Sequence, residues 1–321
     1  MLRNRAHRPR VTAISHVLVA AFVIASALSP NALVLAVTRT AIGLASGVGI
    51  ASAVTDALER VAPERRGLAS GVAWSAMGLA LMVSAPSGAW TLGAAVRWRD
   101  ATALWAVAAL LVTLLAWRIG PQTPAADATV AEPAFRWRDL LRSSNAYFVA
   151  AYAAYGVAYI AFVTFAVAAF AARGFSPIAV AWIWTSCGAA AAAGALAVGV
   201  LLGGAARRWS LAIPLLCGGA GSLLANAPGV PFAIAGTVCV GLGLAATPAV
   251  ASAFARERSD RASAARAFSG VTTVFGVGQL VGPMIAGTIA DTIGLAAVPV
   301  FAGTMFLAGT AAAAVDASLA A

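Results

Sequence analysis

Ten apolar runs, each about as long as a helix needs to be to cross a bilayer, dominate this chain: residues 11–29, 31–54, 67–93, 101–117, 146–172, 178–203, 210–226, 231–255, 268–289 and 294–315. Lipid offers a backbone N–H or C=O no partner, so a chain that crosses it this often must satisfy its peptide groups within each segment. The expected fold is therefore all-α and polytopic. Composition agrees, because 61% of the 321 residues are hydrophobic and only 10% are charged, which excludes an ordinary soluble domain.

The net charge of +10 raises nucleic acid as a partner, but that needs a basic patch on one folded surface. Here the 21 basic residues are all Arg and, Arg39 apart, lie between the runs instead, and no nucleic-acid function is expected. Alternate connections carry seventeen of them: Arg3, Arg5, Arg8 and Arg10; Arg60, Arg65 and Arg66; Arg118, Arg136, Arg138 and Arg142; Arg207 and Arg208; Arg256, Arg258, Arg261 and Arg266. The opposite connections hold three, Arg97, Arg99 and Arg173. By the positive-inside rule the rich side is cytoplasmic, which puts both termini inside. The alternation works only if the first run stays as a span, which argues against reading the Arg-rich start as a cleaved signal peptide.

Residues 119–145 form the longest polar connection, with Pro121, Pro124 and Pro133 among acidic and small residues. They divide a four-helix bundle at 1–118 from a six-helix bundle at 146–321. The end of the connection, Phe135-Arg-Trp-Arg-Asp-Leu-Leu-Arg142, reads either as a helix lying at the cytoplasmic interface or as an exposed loop. Cys187, Cys217 and Cys239 sit inside apolar runs without metal-ligand spacing, so no metal and no cofactor is expected.

The two bundles share a repeat at an offset of about 198 residues. Gly43-Leu-Ala-Ser-Gly-Val-Gly-Ile-Ala-Ser-Ala-Val falls opposite Gly241-Leu-Gly-Leu-Ala-Ala-Thr-Pro-Ala-Val-Ala-Ser, Arg66 to Gly71 opposite Arg266 to Gly270, and Ala85-Pro86 opposite Gly282-Pro283. Repeated, glycine-rich, proline-interrupted spans are a transporter pattern. The offset also places the partner of residue 146 about 52 positions ahead of Met1. Two helices are thus expected upstream, lost either to a late start site or to a real truncation.

Three stretches carry a resemblance to known proteins: Arg39-Thr-Ala-Ile-Gly43, the run from Tyr155-Gly through Thr164-Phe165, and Gly276-Val-Gly-Gln-Leu-Val-Gly-Pro283. They are similar to the fourth, seventh and eleventh helices of the major facilitator superfamily, and within it the chain resembles the YbfB/YjiJ-type group. The resemblance implies helices three to twelve of a twelve-helix bundle of two pseudo-repeats, and secondary transport of a small molecule. Ala85-Pro86-Ser87-Gly88 keeps only part of that superfamily's antiporter pattern, and Arg3 to Arg10 only the basic tail of its cytoplasmic motif.

Side chains that could line a pathway are few. Arg39 is the one Arg inside an apolar run; it reads as a fixed charge facing a cavity or as a side chain that snorkels to the interface. Tyr152, Tyr155 and Tyr159 recur at i, i+3, i+7 on one helix face, as a hydrogen-bonding stripe or as packing. Gln279, between Gly278 and Gly282, would bind substrate or tie helices together. Trp74 and Thr164 complete the set. His16 reads as structural, and no Asp or Glu lies deep in any of the ten runs, so a coupling proton has no obvious intramembrane carrier here.

No phosphate-binding loop, metal cluster or nucleophile constellation appears, so the chain does not read as an enzyme or an ATP-driven pump. The expected function is a secondary active transporter of a small molecule working by alternating access, its partners that substrate and the lipid bilayer. A non-transporting relic or membrane scaffold is the alternative, motivated by the two helices expected upstream.

Overall fold

The computed structural model describes residues 8–93, 97–119, 143–203, 207–257 and 264–319. They form ten helices: α1 (Arg8–Ala27), α2 (Ala32–Arg60), α3 (Arg66–Gly93), α4 (Trp98–Ile119), α5 (Ser143–Ala172), α6 (Pro177–Gly203), α7 (Ala212–Ala225), α8 (Val230–Glu257), α9 (Ala264–Thr292) and α10 (Ala297–Leu319). Each falls on one of the ten apolar runs. The segment read as an interfacial helix, 135–142, lies outside the described residues, as does most of the 119–145 connection.

Nine of the ten helices are long and apolar enough to span a membrane. The exception is α7, whose 14 residues rise only about 21 Å against a hydrocarbon core of about 30 Å. Its run is interrupted at both ends. Arg207–Trp209 forms a 3-10 turn closed by the Ser210 hydroxyl on the Arg207 carbonyl, and Pro228 and Gly229 follow the Asn226 cap. The chain is a multi-pass membrane protein, with residues such as Leu33, Leu44, Val83, Leu280 and Met284 turned outward where lipid can meet them.

Sequence punctuation sets the helix ends. Asn31 caps α2, its side chain accepting the Val34 N–H at 2.9 Å. After α5 the chain turns at Gly174, whose φ of 79° is a left-handed conformation open to glycine at little cost. There the Phe175 N–H reaches the Phe170 carbonyl and the Gly174 N–H the Ala171 carbonyl, the paired bonds of a Schellman stop.

Contacts divide the chain into two compact units. The first holds α1, α2 and α4, from the described residues of Met1–Val61 and Trp90–Ala131. In it α1 packs on both α2 and α4. Hydroxyl pairs join α1 to α2, with Thr12 on Ser52 at 3.0 Å and Ser26 on Thr38 at 2.9 Å. At the start of α4, Arg99 donates to the Ser29 carbonyl just past α1 at 2.8 Å.

The second unit holds residues 62–89, and so most of α3, together with α5 to α10. Its strongest pairings are α6 with α8, α5 with α10, α7 with α8, and α5 with α9. By sequence α3 belongs to the first repeat, yet it packs here. A Cβ added at Gly71 would meet the Ala195 carbonyl, and one at Gly78 would meet the Ala192 nitrogen and the Gly188 carbonyl, so α3 lies backbone to backbone on α6. Ser70 then reaches across to α8, its hydroxyl on the Ala249 carbonyl at 3.1 Å and 3.0 Å from that of Ser252.

The repeat is visible in how carbonyls are capped. Arg173, after α5, donates to the Ala225 carbonyl at 2.8 Å and to the Ala227 carbonyl at the end of α7, and sits over the Phe175 ring. Ser29 and Ala227 are 198 residues apart, the repeat offset. Each unit thus covers the same exposed helix end with a guanidinium, taken from a different helix, where terminal carbonyls lack partners and the helix dipole favours a cation.

Candidate substrate pathway

The tyrosine stripe of α5 faces α9. Gly156 lets α9 approach so closely that an added Cβ would meet the Phe275 carbonyl, and Gly278 and Gly282 lie against Ala153 and Val157 in the same way. Gly278 and Gly282 are one turn apart, so both present their missing side chains to α5. In the space so created Phe275 stacks on all three tyrosines, with ring centroids 5.1 Å from Tyr152, 5.4 Å from Tyr155 and 5.9 Å from Tyr159. Tyr155 also stacks on Tyr152 at 5.7 Å and on Tyr159 at 5.4 Å.

The hydroxyls differ in what they do. Tyr155 is fully buried and donates to the Leu244 carbonyl of α8. That carbonyl would normally accept from the N–H four residues on, but residue 248 is the proline inside α8 and has none to give. Tyr155 therefore satisfies a backbone acceptor that the α8 sequence leaves open. Tyr159 is half-buried, with the Gln279 side chain within reach of its hydroxyl. Tyr152 is buried, and its hydroxyl has no partner among the described residues.

Trp74 of α3 and Tyr159 flank the same apolar cluster, which includes Phe162, Ile183, Trp184 and Leu244. The Trp74 indole N–H is enclosed and finds no acceptor. Thr164 is exposed on α5, away from the tyrosine contacts. Arg39 belongs to the other unit, where it is exposed on α2 and makes no ion pair or side-chain hydrogen bond among the described residues. Its repeat mate, Thr237, is buried and bonded back to the Ala233 carbonyl at 2.8 Å. The structure thus brings Tyr152, Tyr155, Tyr159 and Gln279 together, with Trp74 on the same cluster.

Three features escaped the sequence reading. Phe275, the ring on which the tyrosines converge, stands one turn before Gln279 and was legible in principle from that spacing. The acceptor of Tyr155 is a backbone atom on a helix far along the chain, which no residue pattern marks. Asp316 was not singled out: it lies just past the apolar run ending at 315, yet α10 runs on to Leu319 and buries that carboxyl near the helix end to 6% exposure. His16 fits its structural reading, its Nδ1 lying 2.8 Å from the Thr12 carbonyl one turn back.

Residues 1–315 match the sequence profile of the family described as uncharacterised MFS-type transporter YbfB. The chain belongs to this family. The major facilitator fold is matched independently by the crystal structure of the human organic anion transporter MFSD10 (TETRAN), with a TM-score of 0.72 over 97% of this chain and 79% of that one. At 14% identity the likeness is one of fold. No curated protein matches by sequence. The chain thus belongs to a family of MFS-type transporters and has the major facilitator fold.

Proposed function

We propose that this MFS transporter is a secondary active carrier of a small molecule, working by alternating access between two halves, 1–118 and 146–321, joined by 119–145. The observation that carries the reading is the seating of α3. A helix of the first repeat rests on α6 of the second through Gly71, Gly78 and Gly188, with backbone meeting backbone, and reaches α8 through the Ser70 hydroxyl. Such a contact interlocks few side chains and lets one helix tilt on another without repacking a core, which a rocking motion requires. In the second unit the pathway residues are Tyr159, Gln279 and Trp74, with Tyr152 and Tyr155 bracing α5; Arg39 of the first unit is a separate candidate, tested by itself.

The excess of Arg at alternate connections supports a bacterial inner-membrane location with both termini cytoplasmic. A fluorescent protein fused after Ala321 should therefore fold and fluoresce; a dark fusion with normal insertion would reverse the orientation. Alternating access is tested without a known substrate by a single cysteine at position 279 in a background lacking Cys187, Cys217 and Cys239. A membrane-impermeant maleimide should label it from the outside in spheroplasts and from the inside in inverted vesicles. Labelling from one side alone removes the alternating-access reading.

A further inference from the structure

We infer that the second compact unit holds a subsite for an uncharged aromatic group bearing a hydrogen-bond acceptor, such as an aryl amide or ketone, formed by Tyr159, Phe275, Gln279 and Trp74. The inference deepens the transport reading and rests on it in taking the bundle interior as reachable by substrate.

The argument is an account of which polar groups are already used. Hydroxyls inside this bundle mostly turn back on their own helices: Thr237 on Ala233, Thr247 on Gly243, Ser252 on Ala249 and Thr310 on Phe306. Ser222 is spent on the Pro299 carbonyl and Tyr155 on that of Leu244. Two of the four subsite residues keep capacity. A carboxamide offers two donors and two acceptor sites, so even with one turned to Tyr159 the Gln279 side chain keeps most of its own. The Trp74 N–H is enclosed with no acceptor among the described residues, a donor left unpaired until one arrives.

Both chemistry and shape favour a neutral, flat ligand. Among the described residues of this unit the charged side chains stand at helix ends and connections, as Glu64, Arg65, Arg66, Arg173, Arg207, Arg208, Asp291 and Asp316 do. A carboxylate brought to Gln279 would give up its hydration with no cation among the described residues inside this unit to meet it, whereas a carbonyl needs only a donor. Tyr159, Phe275 and Gln279 are each half-buried, with Phe275 and Gln279 one turn apart on α9. They present aromatic surface beside an amide, and a planar ring stacks well on such surface.

The test compares naphthamide with naphthoate, which share a ring and differ in charge, on the purified full chain in micelles by equilibrium binding and thermal stabilisation. Naphthamide should bind at least about tenfold more tightly than naphthoate. Gln279→Leu should weaken naphthamide by about tenfold, one hydrogen bond to an enclosed group, and Trp74→Phe should do so by a similar factor. Each variant is first checked for an unchanged gel-filtration profile, and either one suffices. Equal or tighter binding of naphthoate overturns the inference, as does binding of neither compound or naphthamide affinity that both variants leave intact. Uptake of labelled naphthamide into proteoliposomes separates the two readings: binding without movement leaves the subsite standing and removes transport.

Discussion

Removing the Tyr155 hydroxyl tests whether α8 depends on a side chain from α5 to complete its backbone. In Tyr155→Phe the ring stack with Tyr152, Tyr159 and Phe275 is kept, and the one loss is the donor to the Leu244 carbonyl. That carbonyl cannot fall back on its own helix, because residue 248 is proline. An unsatisfied buried acceptor costs about 1–3 kcal/mol, and polar pairs between membrane helices average about 0.6 with a ceiling near 1.7. A loss of about 1–1.5 kcal/mol is therefore expected, close to a tenfold rise in the unfolded fraction.

A second substitution isolates the cause. Pro248→Ala returns an N–H to the helix, and that N–H can take over Leu244, so Tyr155→Phe in this background should cost only a few tenths of a kcal/mol. The coupling between the two sites is then about 1 kcal/mol. It is read by titrating each protein in lipid micelles with a denaturing detergent and following helicity. An equal loss in both backgrounds, or no loss in the parent, would refute the assignment of Tyr155 as the donor that completes α8.

Three other substitutions probe separate links. Gly78→Leu puts a Cβ about where the Ala192 nitrogen and the Gly188 carbonyl now sit, at 2.3 and 2.5 Å from them, and should destabilise the chain by at least about 1–3 kcal/mol; an unchanged melting temperature would show that α3 is not seated there. Arg173→Gln removes the guanidinium that spans Ala225 and Ala227 and should cost about 1.5–3 kcal/mol, measured by the same detergent titration, with wild-type stability counting against the cap. Arg39→Ala, on an exposed site with no ion pair among the described residues, should insert and fold normally while uptake or efflux is lost. Normal transport by that variant takes Arg39 out of the pathway.

How much of the site was legible follows from where each signal resides. Spacing along one helix placed Tyr152, Tyr155 and Tyr159 on one face, and glycines one turn apart marked where α9 comes close, because both facts are periodicities of a single segment. What each hydroxyl would find across the gap is a property of two segments. Tyr155 and Tyr159 are alike in sequence, yet one is bolted to a carbonyl on α8 and the other has an amide of α9 within reach. Trp74 shows the same limit: an indole in an apolar run is ordinary, and only the packed bundle shows its N–H without an acceptor.

The sequence by itself determined that the chain is helical, spans the membrane many times and is built on a repeat, because bilayer thickness and the cost of unpaired peptide groups leave an apolar run of this length no other form. Only the tertiary structure decided that α3 rests on the second bundle, that Ser29 and Ala227 are capped by arginines from different helices, and that Asp316 is buried. Those outcomes depend on which backbones can approach one another. Approach is set by small residues meeting across two helices, a pairing that neither helix specifies alone.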